Sequence, residues 1–228
     1  MVASRGSASA AKKRPVAPAE VPVAAKSAFA LLVAAVFFAG VASLVYEVVW
    51  IRQLGLSLGS TAVAFSVMLS AFLGGLALGG WYMGERSDAI ETPSKTLVRV
   101  EVAAAVLGIL AIPALAFAGR LYVYVSVMFA GSPAVSLGLR SLVALVVMLI
   151  PATLFGMTFP LATVAGGRLV GGRAAGAVSA ASSFGSAVGA LLCGLWFEPA
   201  FGLFTSAAIG AGFNLAAAAL AFAGGKRA

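Results

Sequence analysis

Histidine is absent from these 228 residues, and cysteine occurs once, as Cys193. The missing histidine removes the most common general base and the most common metal ligand. A single cysteine forms no disulfide within the chain, and thiolate metal sites need more sulfur. We therefore expect no bound cofactor and no metal.

Charge is also scarce. Only 10% of the residues are charged, whereas a soluble domain carries about 25%. The chain is 62% hydrophobic, with a mean hydropathy of +1.08. Too few polar residues remain to cover a globule in water, so a lipid bilayer is the expected surrounding.

What the chain has instead is a series of long apolar runs rich in Ala, Leu and Gly. Runs of about 20 residues fit helices, because the strands of a membrane barrel alternate over about 10 residues. The pattern predicts an all-α bundle of six transmembrane helices: Ser27–Val49, Thr61–Met83, Val98–Ala118, Leu139–Pro160, Ala175–Phe197 and Leu203–Ala223. The stretch 121–136 is too short to span, so it is expected to extend helix three or to lie at the interface, with a break at Ser132-Pro133.

Lys and Arg divide unevenly between the two ends of these helices, and twelve of the fifteen fall on one side. Those twelve are Arg5, Lys12, Lys13, Arg14, Lys26, Arg86, Lys95, Arg99, Arg168, Arg173, Lys226 and Arg227. The bias predicts that both termini are cytoplasmic, in a bacterial-type inner membrane. It also explains the net charge of +8 without a nucleic-acid partner.

The predicted organisation has three parts: a disordered basic tail (1–26), the transmembrane domain (27–223) and a short tail (224–228). A signal peptide is the rival interpretation of the N-terminus, but its apolar region would be shorter than helix one. The Lys12–Arg14 cluster either contacts anionic lipid or acts only as an orientation signal.

Small residues recur at four-residue spacing in helices two and five. These positions are Gly75, Gly79, Gly80, Gly84, Ala181, Gly185 and Gly189. Such stripes let helix backbones approach closely in lipid. They predict packing within the chain or, alternatively, a homo-oligomer interface.

Polar side chains inside the apolar runs are the candidates for a site. They are Tyr46, Glu47, Arg52, Gln53, Glu198 and Asn214. Glu47 follows Lys26 by about 31 Å of helix, roughly one bilayer thickness, so it is expected at the outer interface. Tyr46 and Trp50 beside it are expected as interfacial aromatics.

Two roles are open for Glu47, which we expect to point toward helices two and five. It forms an interfacial ion pair with Arg52 that ends the helix, or it binds a cationic substrate or a proton. Glu198 either faces the same cavity or belongs to a turn in "FEPAFG". Asn214 is expected to be an inter-helix hydrogen-bonding group or, alternatively, a ligand.

Three segments resemble the membrane-bound spermidine-synthase-like proteins, in which a major-facilitator-like membrane part is fused to an aminopropyltransferase. They are "SLVYEVVWIRQLGLSLGSTAVAFSVMLSAFLGGLALGGWYMGERSD", "LIPATLFGMTFPLATV" and "ASSFGSAVGALLCGLWFEPAFGLFTSAAIGAGFNL". They lie in order over residues 40–222. The resemblance implies a major-facilitator-like membrane part followed by a Rossmann-like domain for polyamine synthesis. By analogy of fold alone, six helices also match half of a twelve-helix transporter.

Residues 1–228 contain no pattern for that soluble domain, and the seven carboxylates are scattered. We therefore expect a non-catalytic membrane module that scaffolds or gates a separate aminopropyltransferase-like partner. The alternatives are a small transporter, with a dimer as one form, for a cationic or other small solute, and a structural subunit of a larger membrane complex. A polar cavity at mid-depth would favour the transporter.

Overall fold

The computed structural model describes residues 21–58, 61–128 and 133–227, and this part of the chain is helical throughout, without a strand. The α-helices are α1 (Val23–Leu58), α2 (Thr61–Gly84), α3 (Pro93–Met128), α4 (Pro133–Val170), α5 (Ala174–Leu192) and α6 (Glu198–Gly225). The predicted all-α class is confirmed. Most of the expected basic tail, and Ser132 of the expected break, lie outside the described residues.

Five helical segments are long and apolar enough to cross a membrane. They are Val23–Leu56, Ala62–Gly84, Pro93–Arg120, Leu137–Val170 and Arg173–Gly225. Many of their large apolar side chains are exposed, as expected for helices that contact lipid. The chain is therefore a multi-pass membrane protein.

The last of these segments has 53 residues, which at 1.5 Å per residue is about 80 Å of straight helix, far more than one bilayer. It is interrupted twice. A π-helical turn covers Cys193–Phe197, and Gly202 has φ 76° and ψ 175°, a backbone conformation that favours glycine. The expected turn at "FEPAFG" is thus a π-helical turn and a kink, with Glu198 and Pro199 beginning α6.

The two arms of this segment run in opposite directions along α1. Residues of α5 and of α1 increase together along their contact, whereas residues of α6 increase as those of α1 decrease. The contacts, each glycine with a nearby α1 residue, are Gly185 with Phe37, Gly189 with Val41, Gly210 with Val45 and Gly224 with Ala28. The segment is therefore folded back on itself.

Helix α1 is the central element, because it packs against each of the other five α-helices. It also extends past its predicted end at Val49, to Leu58, so that Arg52 and Gln53 are helical. Helix α3 likewise exceeds its predicted limits at both ends. It begins at Pro93, where a proline suits the first turn, and it includes residues 121–128.

Glycines bring α2 and α4 into close contact. A Cβ atom on Gly75 would lie 2.8 Å from the Ala152 carbonyl carbon, and one on Gly79 would overlap the Thr153 carbonyl group. Gly80 approaches α4 loosely, and Gly84 has nothing near it in the described residues. Gly185 and Gly189 lie against α1, and Ala181 packs against a buried apolar cluster that includes Val36 of α1 and Val178 of α5. Close backbone approach of this kind is how helices associate in lipid.

The connection between α2 and α3 is held from α4. The Arg168 guanidinium donates hydrogen bonds to the backbone carbonyls of Asp88, Ile90 and Glu91, at 3.1, 2.8 and 2.9 Å. This one side chain therefore fixes the connection against the end of α4.

Candidate functional site

A buried carboxylate, Glu101, is the most unusual side chain in the described structure. It lies eight residues into α3, about 12 Å along the helix from Pro93. The residue is only 1% exposed. An ionisable group at this depth is a functional-site candidate by default, since burying it is costly.

Two neutral side chains from two other helices hold this carboxylate. Thr158 of α4 donates its hydroxyl to Oε1 at 2.7 Å. Asn214 of α6 donates its amide Nδ2 to Oε2 at 2.7 Å. Asn214 is fully buried, and Thr158 is 8% exposed. Glu101, Thr158 and Asn214, called the carboxylate cluster below, therefore join three helices through one polar group.

No cationic side chain compensates the charge of Glu101 in the described part of the chain. The ion pairs found there join Arg52 to Glu198 and Arg86 to Glu85. The cluster is also short of donors, because Oδ1 of Asn214 is buried and has no hydrogen-bond donor among the described residues. An ionised Glu101 would be stabilised only by two hydrogen bonds from neutral donors.

An aromatic group adjoins the cluster. Tyr46 and Trp50 stack with ring centroids 5.5 Å apart, and Phe155 lies 5.8 Å from Tyr46. The Tyr46 hydroxyl donates to the carbonyl of Ala105, one turn beyond Glu101, at 3.2 Å. Trp50 likewise bonds an α3 carbonyl, that of Gly108, at 3.3 Å.

The expected interfacial role of Tyr46 and Trp50 is therefore wrong, since both are fully buried. The residue spacing along α1 predicts how far Tyr46 and Trp50 lie from Lys26. It does not predict which face of α1 these side chains occupy. Because α1 is surrounded by other helices, its aromatic side chains pack against protein rather than at the lipid surface.

A cavity of about 440 Å³ opens between α1, α2, α4 and α5. Its polar lining consists of hydroxyl groups, from Ser43, Thr158, Ser182 and Ser186, and its apolar lining includes Phe72 and Phe155. Gly40, also in the lining, lies halfway along the α1 segment Val23–Leu56, so the cavity is near the middle of that segment. Thr158 both lines the cavity and donates to Glu101.

The predicted site residues do not gather at one place. Arg52 binds Glu198 at 3.0 Å, so the expected pairing of Arg52 with Glu47 is wrong. Glu47 is partly buried and makes no hydrogen bond or ion pair with the described residues, and Gln53 is partly buried on the same helix. Only Tyr46 and Asn214 reach the neighbourhood of Glu101.

Sequence reasoning missed Glu101 and Thr158. From the sequence, Glu101 was only one of seven scattered carboxylates, because it lies just three residues after the expected start of helix three at Val98. The available signal was the apolar sequence "VEVAAAVLGILA", in which Glu101 is the only charge. Thr158 carries no signal of its own, since hydroxyls are common in membrane helices.

No metal site is evident in residues 21–58, 61–128 and 133–227, where no three His, Cys, Asp or Glu side chains come together. Searches against protein-family models, curated proteins and solved structures found no match to this chain.

Proposed function

We propose that this chain is a membrane-embedded transport unit for a small solute, and that the cavity between α1, α2, α4 and α5 is where the solute binds. The single observation that carries the proposal is that cavity, with hydroxyl groups from α1, α4 and α5 in its wall. Ligand sites in helix bundles are concave and largely apolar, with a few convergent polar groups, and this lining has that character.

The lining indicates the class of solute. No charged side chain lines the cavity, which favours a compact molecule that hydrogen-bonds to hydroxyls and contacts aromatic rings. A single positive charge is also compatible, because Thr158 connects the wall to the Glu101 carboxylate. Aromatic faces such as that of Phe155 attract cations as well.

The topology that belongs to this function is six crossings with both termini in the cytoplasm of an inner membrane. The opposed directions of α5 and α6 along α1 support two crossings in the last helical segment. The bias of the basic residues supports the orientation. Reporter fusions after residue 228 and after Pro133 should report cytoplasm and exterior, and a C-terminus on the exterior would overturn this topology.

Cysteine accessibility tests the cavity without knowledge of the solute, in a background in which serine replaces the buried Cys193, the only thiol in residues 1–228. In that background, Ser182→Cys should react with a membrane-impermeant thiol reagent in proteoliposomes. The matched control is Ser183→Cys, on the next residue, which is exposed on the helix surface and outside the cavity lining. It should react poorly, since lipid covers it.

Failure of Ser182→Cys to react from either side of the membrane would mean that water does not reach the cavity. The transport proposal would then be wrong. Where it does react, uptake of labelled putrescine, spermidine and a neutral amino acid by proteoliposomes examines the solute class. Ser182→Leu, which fills the cavity, should abolish uptake that Ser183→Leu leaves intact.

The second candidate is the non-catalytic membrane module of a spermidine-synthase-like system, with a soluble aminopropyltransferase-like protein or other membrane subunits as partners. The observation that favours it is the resemblance of three ordered segments between residues 40 and 222. Proteins that co-purify from mild detergent should then include an aminopropyltransferase. The purified chain alone should form no spermidine from putrescine and decarboxylated S-adenosylmethionine, and turnover without a partner would contradict this candidate.

A further inference from the structure

The carboxylate cluster lacks a positive charge. Glu101 is almost completely buried, and its described partners are a hydroxyl and an amide, both neutral. A buried ionised carboxylate without a cation is unstable relative to its neutral form, because burial removes the hydration of the charge. We therefore expect a proton or another cation to bind at the carboxylate cluster.

The carboxylate cluster also has fewer hydrogen-bond donors than acceptors. Its donors are the Thr158 hydroxyl and the Asn214 amide, and each of these has one bond to the carboxylate. Its acceptors are the two carboxylate oxygens and the orphaned Oδ1 of Asn214. A proton on the carboxyl group removes the charge and adds a donor in the same step.

A proton fits this place better than a metal ion. Neither Glu101 nor Asn214 lines the cavity between α1, α2, α4 and α5, so the space for a hydrated ion lies beyond Thr158. Each carboxylate oxygen already has a donor at 2.7 Å. A proton needs no additional volume and no ring of oxygen ligands.

We propose that Glu101 carries an exchangeable proton and that Thr158 couples this proton to the contents of the cavity. A hydronium ion in the cavity gives a proton to the Thr158 oxygen and becomes water, while the original Thr158 O–H bond breaks and its proton forms an O–H bond with Oε1 of Glu101. The return of the proton to water runs through the same bonds in reverse. A solute that accepts a hydrogen bond from the Thr158 hydroxyl takes away one of the two hydrogen bonds to the Glu101 carboxylate. It therefore favours the protonated form of Glu101. The coupling, though not the proton site, rests on the proposed transport function.

None of the described side chains that face Glu101 competes with it for a proton. From α4 and α6 the facing side chains are Thr158 and Asn214, which do not titrate in the accessible range. From α1 the nearest titratable group is Tyr46, whose hydroxyl bonds the carbonyl of Ala105. On α3 itself, Arg99 is exposed and points away from the buried face.

Infrared difference spectroscopy in lipid tests the proton directly. At neutral pH the wild type should show a protonated-carboxyl stretch that Glu101→Gln lacks and that vanishes reversibly as the pH is raised. Gln preserves the shape, and its carbonyl oxygen accepts one of the two hydrogen bonds, whereas its amide nitrogen puts a donor in place of the second acceptor. The control, Glu85→Gln, removes an exposed carboxylate and should retain the stretch. A spectrum with no such stretch, or one that persists in Glu101→Gln, would overturn the proton site.

Exchange into deuterated water tests the link through Thr158. The Glu101 carboxyl stretch should shift as its proton exchanges, and Thr158→Val should slow that shift by about tenfold, the factor expected for one lost hydrogen bond. The control is Thr153→Val on the same helix, whose hydroxyl bonds its own helix at Leu149 and lies outside the cavity lining. Equal exchange rates in the two variants would refute the coupling.

These outcomes separate the two proposals. A protonated Glu101 combined with an unreactive cavity cysteine would leave the proton site standing and would end the transport proposal. A reactive cavity cysteine combined with an ionised Glu101 would leave the transport proposal standing and would end the proton site. Sodium or lithium that shifts the stretch at constant pH would show that a metal ion occupies the cluster, and the proton assignment would be wrong.

Discussion

Replacing Gly75 by alanine tests the helix packing that holds the cavity wall. The new Cβ atom would lie 2.8 Å from the carbonyl carbon of Ala152 and 2.9 Å from the amide nitrogen of Thr153, both backbone atoms that no side-chain rotation can move. Helices α2 and α4 must then separate. The neighbouring Gly74 is the matched control, because its Cβ would meet only the flexible end of Leu149, at 3.6 Å.

The magnitude follows from two opposed effects. Each Gly→Ala change within a helix gains about 1 kcal/mol of helix propensity, and this gain cancels between the two variants. Overpacking at Gly75 costs about 1–3 kcal/mol, whereas ordinary contact at Gly74 costs little. The free energy of unfolding of Gly75→Ala should therefore lie about 1–3 kcal/mol below that of Gly74→Ala.

The assay is equilibrium unfolding in mixed micelles, in which a denaturing detergent is titrated against a mild one and buried tryptophan fluorescence reports the folded fraction. Trp50 is fully buried and serves as a reporter. Equal unfolding free energies for the two alanine variants would refute the packing of α2 on α4 through Gly75.

Three further predictions concern polar contacts. Tyr46→Phe deletes the bond to Ala105 and should lower the free energy of unfolding by about 0.6 kcal/mol, the average for hydrogen bonds between membrane helices; no change in micelle unfolding would mean that the bond is not formed. Arg168→Ala removes three bonds to the α2–α3 connection, so amide hydrogen exchange there should accelerate while that of α1 stays constant, and uniform exchange would contradict the anchoring role. The Arg52–Glu198 pair has an arginine that is 65% exposed, so a double-mutant cycle should give a coupling of about 0–1 kcal/mol, and a much larger value would show that the pair is shielded from solvent.

Composition and periodicity were sufficient for the class of this protein. Low charge and apolar runs of bilayer length predicted an all-α membrane protein, and the helical structure agrees. These properties are local, because a helix in lipid satisfies its own backbone and needs only a long enough apolar run. The spacing of Gly75 and Gly79 likewise marks a face on which helices can pack closely.

The ends of the helices were less predictable. The apolar run predicted an end of α1 at Val49, three residues before Arg52, yet the helix continues to Leu58. Tertiary contacts stabilise this extension: Trp50 bonds Gly108, and Arg52 bonds Glu198. Local charge alone does not end a helix whose neighbours supply partners.

The carboxylate cluster was decided by tertiary structure alone. Glu101 meets Thr158 and Asn214, which lie 57 and 113 residues further along the chain. Helical periodicity assigns each residue to a face of its own helix, but which faces meet, and at what depth, depends on the packing of three helices together. The sequence determined that this protein lies in a membrane as helices, whereas the relative positions of those helices made Glu101 the most deeply buried carboxyl group of the described structure.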